Sequence, residues 1–317
     1  MDEEAARPSR DVVSGHAPHA RAGLAAAFAA YLAWGLFPLY FRALRQVNPL
    51  SILAHRIVWS GAFLVLVLAS TGRLRGVRRA LVAPGALPYL ASTALISSNW
   101  LLFIWAVNSG HVLDTSLGYF INPLINVLLG VAFLREQLTR SQAAAVALAS
   151  SGVLALAIRQ GNVPWISLVL ATTFGLYGFV RKRAHIEPIE GLFIETVILT
   201  PFAALYLGIQ AARGAPLFGP TAATEALLLS TGVVTATPLI WFAIGVRTLR
   251  LSTMGLIQYV SPTSQFLIAV GLYREAFTPV HGVAFACIWL ALVLYTWDAV
   301  RRAPGPWTRE RLGPPVR

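Results

Sequence analysis

Two prolines inside long apolar stretches carry the first chemical signal in this sequence. Pro123 and Pro262 each lie near the middle of such a stretch, with Asn, Gln or Ser beside them. A proline within a helix donates no N–H, so the carbonyl four residues earlier loses its usual partner. Those carbonyls belong to Tyr119 and Gln258. Hydrocarbon tolerates a free carbonyl only against protein or a wet cavity, so both breaks are candidate binding sites for a polar solute.

The candidate substrate-binding residues are the polar and aromatic side chains near these breaks and in neighbouring stretches. Asn99 lies mid-stretch, where a buried amide needs a partner, and aromatic faces suit flat or cationic solutes. The alternative is that both prolines are ordinary kinks, and that the amides and rings only bond and pack between helices. The predicted set is Trp34, Asn99, Trp100, Tyr119, Asn122, Pro123, Gln258, Tyr259 and Pro262.

Two charged residues, Arg56 and Glu195, lie well inside apolar stretches. A charge deep in a bilayer costs about 2.5–3.5 kcal/mol on insertion scales, so it usually faces a cavity or a partner. Partners at matching depths are Asp114 for Arg56, and Arg250 or Arg247 for Glu195. We therefore predict one ion-pair gate on each side of the membrane. Permanent ties between the same residues, or an Arg56 side chain that snorkels outward, are the alternatives.

Glu195 is also a candidate for proton coupling. A carboxyl in an apolar setting holds its proton more readily, whereas a nearby arginine favours the ionised form, so coupling and pairing compete. No metal or cofactor is expected. The lone cysteine, Cys287, excludes an internal disulfide and a cysteine-based metal cluster, and no P-loop pattern binds ATP in this chain.

Composition indicates the elements that position these residues. The chain has 317 residues, of which 56% are hydrophobic and 12% are charged, against about 25% charged in ordinary soluble proteins. The expected fold is therefore an all-α polytopic membrane protein, because the apolar runs are continuous rather than alternating. Ten runs can span a bilayer: 23–41, 50–71, 86–107, 112–134, 141–158, 164–180, 189–209, 225–246, 252–273 and 280–298.

The basic residues orient the chain. The formal net charge is +12, but the arginines lie in short loops, so we expect no nucleic-acid partner. Nineteen of the 25 Lys and Arg residues fall in the tails and in the loops on the same side as the tails. The positive-inside rule then places both termini in the cytoplasm, with the chain in the cell (inner or plasma) membrane.

An internal repeat divides the chain. A shift of 139 places Gly118–Pro123 on Ile257–Pro262 and Arg56 on Glu195, and a shift of 140 places Trp34–Phe37 on Phe174–Tyr177. Five spans per half is an odd number, so the halves are predicted to be inverted in the membrane, as in many secondary transporters. The predicted divisions are a poorly ordered tail 1–22, a first five-helix repeat 23–158, a second 159–298 and a tail 299–317.

Several strings resemble a known family. They are Asn99–Val107 (NWLLFIWAV), Ser116–Leu124 (SLGYFINPL), His55-Arg56 and Leu249–Thr253, and over about 23–298 they resemble the RarD proteins of the EamA branch of the drug/metabolite transporter superfamily. The resemblance implies ten helices in two inverted repeats, a central cavity, and export or exchange of small metabolites or drugs. The family usually has Gly-Glu at the ends of the fourth and ninth helices, where this chain has Arg135-Glu136 and Arg274-Glu275.

The function predicted from these patterns is secondary transport of a small organic solute by alternating access, as export or exchange. Metalloprotease and serine-hydrolase motifs are absent from the sequence, so no enzymatic activity is expected. A membrane scaffold or partner protein is the main alternative, and a channel is a further one. The sequence leaves open the substrate, the direction, proton coupling, and whether the protein is a monomer or a homodimer.

Overall fold

A computed structural model describes residues 17–72, 87–134, 137–184, 188–249, 254 and 257–302. This part of the chain is mainly helical and contains no strand, which confirms the all-α prediction for the described residues. Its helices are α1 Ala17–Ala43, α2 Pro49–Ser70, α3 Leu87–Asn108, α4 Val112–Leu134, α5 Arg140–Gln160, α6 Trp165–Ala184, α7 Pro188–Ala212, α8 Ala222–Thr248, α9 Val260–Leu267 and α10 Pro279–Arg302. A π-helical turn, Ile268–Leu272, continues α9.

Eight of these helices are long and apolar enough to cross a membrane, whereas α6 and α9 contribute the shorter apolar segments Trp165–Arg181 and Val260–Leu272. Each predicted run overlaps a helix, the ninth run only from Val260 onward, but ten membrane spans remain a prediction. The ends differ from those predicted: α1 begins at Ala17 and α10 ends at Arg302, both inside the segments assigned to the tails. Residues 1–16 and 303–317 of those tails lie outside the described part.

Helix starts follow local chemistry. Proline occupies the first position of α2, α7 and α10, where its missing N–H removes no intrahelical bond. The Asn48 side chain accepts from Leu50 N–H at 2.9 Å at the start of α2. Thr139 forms a capping box with Gln142 at the start of α5. These caps satisfy backbone donors that would otherwise lack partners at helix ends.

The helices pack in pairs that join distant parts of the chain. α1 packs against α8 and α9, and α6 packs against α3 and α4. α2 lies against α7 and α8, and α3 also contacts α7. The remaining large contacts join α4 to α9 and α5 to α10. Buried apolar side chains between these helices include Phe41, Ile52, Ile104, Leu117, Leu170 and Phe285.

The outer surface of the bundle is apolar. Ile158 is 70% exposed, and Leu66 and Phe202 are each 68% exposed. A water-soluble protein rarely leaves so many large apolar side chains uncovered. This surface suits hydrocarbon, and it agrees with a multi-pass membrane protein.

Glu275 joins the two halves of the chain near one end of the bundle. Its two carboxylate oxygens accept from Val112 N–H at 2.9 Å and from Leu113 N–H at 2.7 Å, at the N-terminus of α4. Burial raises the pKa of Glu275, and the two N–H donors partly oppose that rise. The N-terminus of α4 is thus tied to the segment that follows α9.

Arg274 adopts a left-handed backbone conformation, with φ of 53°. It follows the π-helical turn, which closes with Tyr273 N–H donating to the Ile268 carbonyl and Glu275 N–H donating to the Ala269 carbonyl, each at 2.9 Å. Left-handed residues favour glycine because a Cβ is crowded there. The conformation therefore agrees with the glycine implied by the family resemblance, although this chain has arginine. The equivalent Arg135-Glu136 pair lies outside the described residues.

Replacing Arg274 with glycine should increase the free energy of unfolding by about 0.5–1 kcal/mol. The left-handed region costs an ordinary residue about 1–2 kcal/mol, of which the extra backbone freedom of glycine offsets roughly 0.5–1 kcal/mol. Unfolding of the detergent-purified protein measures the change. Arg274→Ala is the control, since it keeps the Cβ. An equal gain from alanine would attribute the effect to the arginine side chain.

A second prediction concerns the close approach of α4 and α6. A Cβ on Gly118 would lie 2.8 Å from the Ser167 carbonyl oxygen, which is backbone and can move only if the helices separate. Gly118→Ala should therefore lower the free energy of unfolding by about 1–3 kcal/mol. Gly178→Ala on α6 is the matched control, because no atom lies within 4 Å of its added Cβ. Equal effects at the two positions would contradict this explanation.

Candidate functional site

Arg56 lies in the interior, surrounded by aromatic rings. Its side chain is on α2, and the residue is only 4% exposed. The guanidinium carbon lies 4.1 Å from the Trp100 ring centroid, 5.7 Å from that of Phe41 and 5.8 Å from that of Phe37. Ring faces attract a cation, but they do not accept in-plane hydrogen bonds from a guanidinium. Accordingly, Arg56 Nε is buried with no hydrogen-bond partner among the described residues.

The predicted pairing of Arg56 with Asp114 is not formed in this structure. Asp114 Oδ2 lies 3.2 Å from Nδ1 of His111, one turn away on the same side of the bundle. Among the described residues, Arg181 and Glu195 form an ion pair, and the His111–Asp114 contact is one only when the imidazole is protonated. The outer gate thus stays a prediction, and the surroundings of Arg56 here are aromatic instead of acidic.

Asn99, Trp100 and Tyr119 lie together with Arg56. The Asn99 amide donates to the Leu170 carbonyl at 3.0 Å and to Thr173 Oγ1 at 2.8 Å. The Tyr119 hydroxyl reaches Asn99 Oδ1 at 3.5 Å, and it is close enough to Arg56 for an electrostatic interaction. These contacts place four predicted residues from α2, α3 and α4 in one polar and aromatic cluster.

Hydrogen bonds from side-chain amides recur at equivalent positions of α4 and α9. Asn126 donates to Asn122 Oδ1 at 3.3 Å, and Gln265 donates to Ser261 Oγ at 3.4 Å. A shift of 139 relates Asn122 to Ser261 and Asn126 to Gln265. Asn122 also bonds to Ala171 of α6 at 3.1 Å. The two helices are joined directly, because Ser116 Oγ donates to the Pro262 carbonyl at 2.8 Å.

The second helix break differs from the one predicted. Gln258 and Tyr259 form a turn, and α9 begins at Val260, so Pro262 lies in a first helical turn instead of mid-helix. Its missing N–H removes no intrahelical bond there. The Gln258 carbonyl, predicted to be free, accepts from Ser261 N–H at 3.3 Å. Pro123, in contrast, lies inside the continuous helix α4.

Three of the predicted binding residues lie outside the cluster around Arg56: Trp34, Gln258 and Tyr259. Tyr259 hydrogen-bonds to Thr296 of α10 and to Gln258, and it stacks on Phe120 at 6.4 Å. The Trp34 ring packs against Tyr31 and Phe242. The predicted binding residues therefore divide into a cluster around Arg56 and a set that packs near α8 and α10.

A groove of about 270 Å³ lies between α2, α3 and α7. Its walls are mainly apolar, and Phe202 on its rim is 68% exposed. Ser97 and Ser98, which directly precede Asn99 in the sequence, line this groove. Its exposed apolar rim suits a lipid chain better than a polar solute.

Glu195 is fully buried on α7 and has a cationic partner that sequence reasoning missed. Arg181 Nη1 lies 3.2 Å from Oε1, and the Tyr177 hydroxyl donates to Oε2 at 3.2 Å. Ser92 of α3 also hydrogen-bonds to Glu195. The predicted partner Arg250 lies outside the described residues, as does the side chain of Arg247. In this structure Glu195 therefore pairs with Arg181.

The repeat contained a signal for this partner. The aromatic residues beside Arg56 and the residues beside Glu195 occupy equivalent sequence positions in the two halves. The buried cation of the first half is enclosed by rings, whereas the buried anion of the second half is enclosed by a hydroxyl and a guanidinium. The correspondences are Phe37 with Tyr177, Phe41 with Arg181 and Arg56 with Glu195.

Known proteins resemble this chain over most of its length. "Protein RarD" of Salmonella typhi is 44% identical over 286 residues, which are 90% of this chain and 97% of that protein. "Protein RarD" of Escherichia coli (strain K12) is 42% identical over 286 residues, with the same coverage. An "Uncharacterized transporter" of Vibrio cholerae is 43% identical over 284 residues, which are 89% of this chain and 94% of that protein.

Two further comparisons agree with these relatives. A family model described as the EamA-like transporter family matches residues 21–158. A solved crystal structure superimposes with a TM-score of 0.58 at 18% identity, over 90% of this chain and 99% of that chain. At that level of identity the likeness concerns the fold alone.

Removing one member of the Glu195–Arg181 pair should destabilise the protein more than removing both. Glu195→Leu removes the carboxylate that faces the largely buried Arg181 guanidinium, and we expect the free energy of unfolding to fall by about 3–5 kcal/mol. Adding Arg181→Met should restore most of this loss, since it removes the remaining charge of the pair. Unfolding in detergent compares the variants.

Glu225→Leu is the control for this comparison, because Glu225 is an exposed carboxylate in the first turn of α8. Its replacement should change the free energy of unfolding by less than about 0.5 kcal/mol. A double variant as unstable as Glu195→Leu alone would show that the bonds from Tyr177 and Ser92, not the paired charge, stabilise this region.

Proposed function

The chain belongs to the EamA-like transporter family and is of the RarD type, and on this basis we propose that it moves a small organic solute across the membrane by alternating access. The family and the names of its relatives indicate a membrane transporter of the drug/metabolite superfamily, not an enzyme. The solute, the mechanism and the direction are the parts that we propose. Export or exchange is the direction that we favour.

The packing supports two inverted five-helix repeats. Exchanging each helix with the one five positions away converts the α1–α8 contact into α6–α3, and the α4–α6 contact into α9–α1. The contacts α2–α7, α4–α9 and α5–α10 convert into themselves. A two-fold relation between the halves would produce this pattern. Because five spans are odd, such a relation is an inversion across the membrane, which is a common transporter design.

Close helix contacts support the same relation. A Cβ on Gly35 of α1 would lie 2.6 Å from Ser264 of α9, and one on Gly175 of α6 would lie 2.8 Å from Ile125 of α4. A shift of 140 relates the two glycines, and a shift of 139 relates their neighbours. Both halves therefore use a small residue at the same interface, where it lets the helices approach closely.

The observation that carries the proposal is the pair of equivalent buried charges. Arg56 and Glu195 occupy matching positions in the two halves, and each is held by contacts from the first helix of its own half and from α3. A symmetric bundle with one such point near each face can open alternately by releasing one and keeping the other. We propose that the Glu195–Arg181 pair closes one face and that the rings around Arg56 close the other.

The orientation belongs to the same proposal. The excess of arginine in the tails and in the loops on their side favours cytoplasmic termini in the cell membrane. The face closed by Arg181, near the arginine-rich end of α6, would then be the cytoplasmic one. Asp114 remains the proposed partner of Arg56 in a conformation other than this one.

Transport by reconstituted protein tests the proposal. In proteoliposomes preloaded with members of a metabolite and drug panel, we expect saturable uptake of at least one solute, stimulated by the same solute inside. Saturation separates a carrier from a scaffold, and stimulation from the other side separates it from a channel. Repeating uptake with and without a pH gradient tests proton coupling.

Trp100→Ala should lower that uptake rate by at least about tenfold, equivalent to roughly 1.4 kcal/mol, because it removes the ring nearest to Arg56. Trp165→Ala is the matched control, since this tryptophan is 51% exposed at the start of α6 and should leave the rate within about twofold. Cooperatively folded protein that gives no saturable uptake of any solute would contradict transport and favour a scaffold.

A further inference from the structure

Two buried polar groups on the face of α2 that carries Arg56 lack hydrogen-bond partners among the described residues. They are Arg56 Nε and, one turn later, the Ser60 hydroxyl. The Thr93 hydroxyl on α3 is also without a partner there, but its neighbour Ser92 bonds to Glu195, so Thr93 belongs with the other buried charge. The Trp100 ring of α3 lies over the Arg56 guanidinium.

Arg56 Nε and the Ser60 hydroxyl can each donate a hydrogen bond, and neither has an acceptor among the described residues. Buried polar groups in folded proteins nearly always have partners, so a set of unsatisfied donors calls for an explanation. Hydrocarbon supplies no acceptor, and the rings around Arg56 supply only faces. The missing element is therefore an electronegative acceptor, brought by something outside the described chain.

The charge of Arg56 is also unmatched among the described residues. Its repeat equivalent, Glu195, has its counter-ion in Arg181, whereas an uncompensated buried charge is costly. The described carboxylates are engaged elsewhere or exposed: Asp114 with His111, Glu195 with Arg181, Glu275 with the N-terminus of α4, Asp298 with Thr139, and Glu225 at the surface. None of these carboxylates balances the charge of Arg56.

We propose that this buried face of α2 binds the carboxylate of a small organic acid, with Arg56 as its counter-ion and Ser60 as an additional donor. This inference rests on the proposed transport function and names its substrate class. A guanidinium presents paired N–H groups along its edge, which match the two oxygens of a carboxylate. The rings around the guanidinium offer its N–H groups no in-plane acceptor, so a carboxylate would supply the acceptor that they lack.

The charge and shape of the site favour a carboxylate with a flat body. One arginine balances one negative charge, whereas a phosphate monoester carries close to two at neutral pH. Trp100 packs on Arg56 and Tyr119 packs on Phe103, so a planar group bound at Arg56 would join an existing aromatic cluster. Arg56 is closed off in this conformation, so the acid would enter when the helices around it separate. Its charge would then satisfy the guanidinium as the bundle closes around both.

A matched series of ligands tests the inference on the full-length protein in detergent. Indole-3-acetate, indole-3-acetamide and tryptamine share one ring and are anionic, neutral and cationic, and benzoate with benzamide gives a second pair. Indole-3-phosphate tests a phosphate ester. We expect saturable increases in the thermal unfolding temperature from a carboxylate, and none from its amide, from the amine or from the phosphate ester.

Variants then assign the effect to the site. Arg56→Gln should weaken carboxylate binding by at least about thirtyfold, and Arg56→Lys by less, since it keeps the charge but loses the paired donors. Ser60→Ala should weaken binding about three- to tenfold, and it serves if Arg56→Gln does not fold. Arg42→Gln is the matched control. Arg42 also stacks on a ring, Tyr273, but donates to the Val107 carbonyl, so its loss should leave binding within about twofold.

The outcomes separate this inference from transport itself. Stabilisation by amides or amines equal to that by the acids, no stabilisation by either acid, or acid binding that survives in Arg56→Gln would overturn the carboxylate site. A preference for the phosphate ester would overturn the choice of carboxylate. Saturable uptake of a non-anionic solute, unchanged in Arg56→Gln, would leave transport standing and reject the site. Binding of an acid through Arg56 without uptake of any solute would support the carboxylate site and contradict transport.

Discussion

The absence of water inside a membrane bundle is the constraint on which this structure depends. Every polar group placed there has to find its partner within the protein, since hydrocarbon offers none. The interior follows this rule closely. Asn99, Asn122 and Ser116 each donate to a backbone carbonyl of another helix, so the polar residues that the sequence places in apolar stretches hold helices to one another. The few groups that break the rule are therefore informative.

The two halves share a framework but differ in what it contains. At equivalent positions, one half places a cation among aromatic rings, and the other places an anion beside a guanidinium and a phenol. The carboxylate of Glu195 has a counter-ion and a hydrogen-bond donor, whereas Arg56 Nε has no acceptor among the described residues. The two halves therefore share corresponding helix contacts, while the buried charges at their equivalent positions have opposite signs.

Sequence patterns predicted the helices well, because each is a long apolar run with a recognisable beginning. They also identified Arg56 and Glu195, since a charge within such a run is conspicuous. The partners of these charges were harder to predict. Arg181 lies 14 residues from Glu195 on another helix, and the apolar run 164–180 ends just before it, so the sequence places it in a loop. Alignment of the two halves placed it opposite Phe41, a correspondence that has meaning only once the packing is known. The sequence did not predict the turn at Gln258 and Tyr259, because Pro262 was taken as the point where the helix is interrupted.

The carboxylate of Glu275 is one of two attachments between α4 and α9. It ties the segment after α9 to the first turn of α4, and the Ser116 bond to Pro262 holds the same two helices together further along. A motion that separated α4 from α9 would have to break both attachments. The alternating access that we propose would therefore have to keep these two helices, one from each half of the chain, side by side.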